Sequence, residues 1–128
     1  MPDHWQTIGQ QEFSALTRRV EDMPVVHVYG EVDISTVPRL RKTISSAAEG
    51  TQGYPQALLL DLSHTEFFDS SGVGLLVECQ RELRERGTEL ELVLGAGPVS
   101  RILRHTGLDL QFTIHPDLDA AATRHRPS

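Results

Sequence analysis

The run Gln56-Ala57-Leu58-Leu59-Leu60-Asp61-Leu62 constrains the fold more than any other stretch of the chain. It is short and nearly continuously apolar, without the alternation of a half-exposed strand. Such a segment belongs at the centre of a sheet, covered on both faces. What surrounds it must therefore supply layers above and below. The neighbouring segments do so by alternating strand and helix patterns.

Phe13 to Glu21 and Pro24 to Gly30 read as strands joined by a polar turn at Glu21-Asp22-Met23, with Val25, Val26, Val28 and Tyr29 supplying β-branched and aromatic bulk. A helix follows, with Ser35 or Thr36 as its cap, Pro38 in its first turn and Gly50 at its end. Val37, Leu40, Ile44 and Ala48 recur along it at helical spacing. After the central run, Val73, Leu76, Val77 and Leu83 mark a second helix that Gly87 stops, with Gln80 a polar mismatch in the stripe. Glu89 to Leu94 is the next strand, and Gly97-Pro98 to Gly107 brackets a third helix. Leu110 to Ile114 is a last strand, and Pro116-Asp117 opens a fourth helix whose end carries Arg124, His125 and Arg126 toward its negative pole. The order β-β-α-β-α-β-α-β-α specifies one α/β domain: a mixed, mostly parallel sheet of about five strands with about four helices. The expected boundaries are an N-terminal extension over 1–10, the domain over 11–123 and a tail over 124–128.

Several kinds of chemistry are excluded. A net charge of −6, with acids spread along the chain, gives neither nucleic acid nor an anionic membrane surface a basic patch. Cys79 is the only cysteine, which removes an intrachain disulfide and a cysteine-based zinc site. Its position beside apolar helix residues suits a structural thiol. The first ten residues lack a basic region followed by an apolar run, and no stretch approaches the ~20 apolar residues of a membrane span, so a cytoplasmic protein without membrane insertion is expected. No phosphate-binding Gly-x-x-x-x-Gly-Lys loop is present. Gly95-Ala96-Gly97 sits where a dinucleotide loop would, but Ser100 replaces its third glycine and Pro98 removes a backbone donor. The serines do not lie in Gly-x-Ser-x-Gly, and a triad through His64 or His105 has nothing in the spacing to support it. Asp61, His64, Glu66 and Asp69 are metal-capable groups, but they point in alternate directions around a strand end and read as a solvated loop.

The stretch Glu66-Phe67-Phe68-Asp69-Ser70-Ser71-Gly72-Val73-Gly74-Leu75 interrupts an apolar region with two adjacent hydroxyls. A serine ahead of a helix is ordinarily its cap. Two exceed what one cap needs. The turn also lies at the carboxyl end of an apolar strand, where open α/β sheets carry their functional surface. Gly72 and Gly74 leave bare backbone for close approach by a protein or nucleotide. A phosphate placed there would meet free N–H groups and the positive helix pole, and would add roughly −2 charge beside Asp69. Asp33 ends the second strand at a comparable height, so it either flanks the same turn or only helps cap the next helix.

The segments Gly30-Glu31-Val32-Asp33, Leu58 to Leu62, Phe68 to Gly74, and Val99 to Leu103 with Gly107-Leu108 together resemble the STAS domain of bacterial anti-sigma factor antagonists, over about Phe13 to Pro116. The resemblance implies a protein that binds an anti-sigma factor/serine kinase while unphosphorylated, releasing a sigma factor. It implies Ser70 as phosphate acceptor, with Ser71 the runner-up, and a serine phosphatase that restores binding. Asp69 and Asp33 would flank the acceptor, Ser71 and Gly72 would shape the turn, and Glu31 and Thr36 would add to the docking rim. ATP and Mg²⁺ belong to the partner kinase, so the chain needs no cofactor and is not an enzyme. The rival implied by the same resemblance is a non-phosphorylated STAS subunit of a membrane transporter, and a neighbouring gene for a histidine-kinase-like ATPase or for a permease separates the two.

Overall fold

The structure is a computed structural model that describes residues 12–20, 22–50 and 52–125. The extension assigned to 1–10 therefore lies outside the described residues, as do Glu21 of the first turn and Arg126 at the end of the last helix. The elements in chain order are β1 (Ser14–Val20), β2 (Met23–Val32), α1 (Val37–Glu49), β3 (Ala57–Phe68), α2 (Ser70–Glu85), β4 (Glu89–Val93), α3 (Pro98–Thr106), a 3₁₀ turn (Leu108–Gln111), β5 (Thr113–His115) and α4 (Leu118–His125). The sheet runs β1-β2-β3-β4-β5 in space, antiparallel at β1–β2 and parallel throughout the rest. The expected mixed, mostly parallel sheet is what forms.

Each crossover from β2 onward advances one strand in the same direction. Right-handed connections of that kind put α1, α2 and α3 on one face of the sheet. The buried residues agree: Val26, Val28, Leu58, Leu60, Leu62, Leu90 and Leu92 pack against Leu40 and Ile44 of α1, Leu75, Leu76 and Leu83 of α2, and Val99 and Leu103 of α3. A smaller cluster on the other face joins Met23, Val25, Leu59 and Val93 to Ala121 of α4. β3 is thus covered on both sides along its first half, which is why Ala57 to Leu62 is apolar almost throughout.

Four expectations about elements are corrected. β3 does not stop at Leu62 but continues to Phe68, because it stays paired with the outer half of β2 through two register shifts, after His27 and after Gly30. The stretch read as a solvated loop is therefore strand. In α2 the buried stripe is Gly72, Leu75, Leu76, Cys79 and Leu83, and Val77 is 43% exposed; the helix starts at Ser70, which turns the stripe away from Val77. Leu110 and Gln111 belong to the 3₁₀ turn, leaving a strand of only Thr113–His115. Gln80, the mismatch, uses its amide to donate to the Gln111 carbonyl of that turn at 2.7 Å.

Two buried polar networks hold the far face of the sheet. Arg18 Nε donates to His27 Nε2 at 2.8 Å, so the His27 ring donates from Nδ1 to Asp61 at 2.7 Å, and the Ser63 hydroxyl and N–H complete the Asp61 shell. Burial alone would raise the Asp61 carboxyl, but the Ser63 and His27 hydrogen bonds outweigh it and leave it below its ordinary range. In the second network, Glu91 is completely buried and accepts from His115 at 2.7 Å and from His125 at 2.9 Å, with Arg124 Nε at 3.5 Å. Arg124 and His125 thus serve as a clasp between α4 and β4, which the helix-pole expectation did not include. They also extend α4 two residues into the stretch assigned to the tail.

Cys79 lies on the buried face of α2, and burial raises its thiol to about 11. It should therefore resist iodoacetamide at pH 8 in the native protein and react fully in urea. Rapid native modification, followed by mass, would overturn the structural role given to it.

Candidate functional site

β2 and β3 are parallel neighbours, and Val32 pairs with Phe68 at the end of their ladder. The next residue on each strand is an aspartate, so the topology sets Asp33 and Asp69 side by side at the carboxyl edge of the sheet. The Asp69 N–H, reaching across to the Val32 carbonyl at 3.4 Å, ties the two loops together. Residues 36 positions apart in sequence become one site. Of the two readings of Asp33, the structure shows elements of both: it stands beside Asp69 at the sheet edge and also organises the turn that leads into α1.

The cap of α2 is Asp69 rather than either serine. Its Oδ1 accepts from the Ser71 N–H at 2.9 Å, and its carbonyl accepts from the N–H groups of Gly72 and Val73. Aspartate serves better here because a carboxylate both satisfies an orphan donor and suits the positive helix pole. Ser70 and Ser71 then occupy the first two helical positions. Ser70 is exposed, and among the described residues no hydrogen bond engages its hydroxyl. Ser71 is half-buried and has its N–H committed to the cap. The two adjacent serines thus differ in exposure, Ser70 being the more open of the two.

Gly72 has a different use from the one expected. A Cβ there would lie 2.6 to 2.9 Å from three atoms of the Phe68 ring, so its bareness makes room for Phe68 to pack under the helix. Gly74 is the open one, exposed with nothing within 4 Å of an added Cβ. Gly72→Ala should cost about 1–3 kcal/mol through overpacking, whereas Gly74→Ala should cost nothing and gain a little helix propensity. Urea denaturation of both variants checks this, and equal stability of the two would contradict it.

The loop between β2 and α1 is a closed hydrogen-bonded unit. Asp33 Oδ1 accepts from the Ser35 hydroxyl at 2.7 Å and from the Ser35 and Thr36 N–H groups at 2.9 and 3.2 Å. The Ser35 hydroxyl, with those backbone donors, holds the Asp33 carboxyl below its ordinary range. Among the described residues no hydrogen bond engages its other oxygen, which remains open for a partner. Thr36 stands at the helix cap but makes no side-chain cap; its hydroxyl instead donates to the Glu31 carbonyl at 2.9 Å and accepts from the Asp33 N–H at 3.0 Å. It is buried, so it braces the loop from inside and does not form a docking rim. Glu31 is half-buried at the end of β2, register-paired with Phe67.

The remaining candidates do not join this site. Asp61 is spent on His27, and the His64 ring stacks on Tyr29 with centroids 5.1 Å apart. Among the described residues no three His, Cys, Asp or Glu side chains stand together in a way that would hold a metal ion. A cleft of about 450 Å³ lined by Arg19, Asp22, Gln52 and Tyr54 opens at the opposite end of the sheet. Sequence reasoning passed over two exposed apolar residues beside the site, Ile34 and Phe67. An isoleucine between an aspartate and a serine in a turn was the available signal for the first.

Residues 14–121 match the model of the STAS domain. The anti-sigma-B factor antagonist of Listeria monocytogenes is 31% identical over 85 residues, which are 65% of this chain and 70% of that protein. The crystal structure of an anti-sigma factor antagonist from Mycobacterium paratuberculosis superimposes with a TM-score of 0.79 at 31% identity, covering 91% of this chain and 96% of that one. The Bacillus cell fate determinant SpoIIAA in its phosphorylated form gives a TM-score of 0.64 at 27% identity, with 90% of this chain and 100% of that one covered.

Proposed function

The chain belongs to the STAS domain family, and from that premise we propose that it is an anti-sigma factor antagonist: unphosphorylated, it binds an anti-sigma factor that is also a serine kinase, and phosphorylation of Ser70 ends the binding. The observation that carries this reading is the inequality of the two serines. Ser70 stands exposed at the first position of a helix, directly after Asp69 and at the sheet edge that also carries Asp33, and among the described residues no hydrogen bond engages its hydroxyl. The antagonist names of the Listeria and Mycobacterium relatives and the phosphorylated form of SpoIIAA support the same assignment.

In this reading the chain is a ligand and a substrate. The kinase brings ATP and Mg²⁺, and a separate serine phosphatase removes the phosphate. Asp69 and Asp33 position the turn, and the open oxygen of Asp33 is free to accept a hydrogen bond from the docked kinase. Once phosphorylated, Ser70 would carry about −2 charge beside Asp33, Asp69 and Glu31. Bringing that cluster out of water against a partner is strongly unfavourable. No helix among the described residues is long and apolar enough to cross a membrane, and we place the switch in the cytoplasm.

Release of a sigma factor tests the function itself. Added at equal concentration to a sigma/anti-sigma complex, the unphosphorylated chain should displace the sigma factor, seen as its free peak in size-exclusion chromatography. An undisturbed complex at tenfold excess of the chain would refute the antagonist role.

A further inference from the structure

Two large apolar side chains stand in the open beside Ser70: Ile34 is 80% exposed and Phe67 is 45% exposed. Single exposed apolar residues are ordinary on protein surfaces. These two differ in where and how they are held. Ile34 lies at the tip of the β2–α1 loop, one residue past Asp33, in the unit closed by the Asp33, Ser35 and Thr36 hydrogen bonds. Its backbone is already fixed, and a β-branched side chain has few rotamers left to lose. Phe67 is fixed in β3 opposite Glu31, two residues before Asp69. Both are therefore ordered before any partner arrives, which lowers the entropic cost of burying them.

We infer that Ile34 and Phe67 are the apolar anchors of the kinase interface, gripping the partner from the β2–α1 loop and from the end of β3 beside the Ser70 turn. The inference rests on the reading of Ser70 as the docking site and adds what holds the partner there. The acids Glu31, Asp33 and Asp69 lie among the anchors, while Arg39 of α1 is turned onto the Phe13 ring at 4.8 Å. The complementary surface is therefore an apolar pocket with a basic rim around a phosphoryl-transfer site. Such an arrangement divides the work. The anchors supply affinity, and the acids with Ser70 decide whether that affinity can be used.

The test is a titration of the cognate anti-sigma factor, with ADP in place of ATP so that no phosphate moves. Ile34→Ala and Phe67→Ala should each weaken binding about 10- to 50-fold, the loss expected from failing to bury their side chains. Leu110→Ala serves as the control: Leu110 is 87% exposed, but in the 3₁₀ turn ahead of β5, at the other end of the parallel strands. Its affinity should equal that of the wild type. Circular dichroism and urea midpoints should be unchanged in all three. Wild-type affinity in Ile34→Ala and Phe67→Ala overturns the inference while leaving the antagonist reading intact. Absence of wild-type binding removes both. A fall in the self-association of the free chain without loss of kinase affinity would assign the two residues to a contact between copies and overturn the inference as well.

Discussion

Ser70→Asp is expected to weaken binding to the anti-sigma factor at least 100-fold, and Ser70→Ala is expected to bind as the wild type does and never let go. Among the described residues no hydrogen bond engages the hydroxyl, so its removal should leave the loop intact. A carboxylate in its place brings a further acid to a surface where Asp33 and Asp69 already stand on adjacent strand ends. Burying like charges without partners costs several kcal/mol per ion, and 100-fold corresponds to about 2.8 kcal/mol. The effect should persist at moderate salt, because desolvation is screened far less than exposed attraction. Phosphorylated protein should lose more affinity than Ser70→Asp, since phosphate carries about twice the charge. Isothermal titration of the three forms reads the result, and equal affinities for Ser70→Ala and Ser70→Asp would overturn it.

The second large effect lies on the opposite face. Glu91→Ala should destabilise the domain by about 3–5 kcal/mol, the usual cost of removing one partner from a buried ionic network. Glu91 is wholly buried and is the shared acceptor for His115, His125 and Arg124. Its loss leaves three donors turned toward an empty site and frees the last turn of α4. Glu91→Gln should lose less at pH 7, keeping the shape and one acceptor oxygen. Burial would raise the Glu91 carboxyl, but the hydrogen bonds from His115 and His125 prevail and hold it below its ordinary range. A carboxyl lowered in the folded state stabilises fully above the ordinary glutamate value of about 4.3 and loses that contribution as pH falls through the folded value. The part of the melting-temperature gap between wild type and Glu91→Gln that comes from this carboxylate should thus narrow as pH falls below about 4. A gap that widens toward acid would contradict this sign.

Much of the frame was legible because it follows from patterns within single segments. The unbroken apolar run Ala57 to Leu62 located the sheet centre, and Pro38, Pro98, Gly50 and Gly107 placed helix ends that the structure keeps. Misread features depend on pairing between segments. β3 continues past Leu62 because β2 is still beside it, which no local window reveals. The polar partners are equally non-local: His27 and Asp61 are 34 residues apart, as are Glu91 and His125. One hint was available, since an acid within the apolar strand Glu89 to Leu94 needs donors from elsewhere. At the site, the resemblance pointed to the turn after β3, but the division of labour within it required geometry. Asp69 takes the cap, Gly72 yields to Phe68, Thr36 turns inward, and Ser70 is the more exposed of the two serines.

The most direct measurement is to incubate the chain with its anti-sigma factor and Mg-ATP and to locate the phosphate by fragmentation mass spectrometry. One phosphate per chain should appear, on Ser70, with none transferred to the Ser70→Ala variant. Phosphate on Ser71, or a chain left unmodified by a kinase that binds it tightly, would contradict the switch.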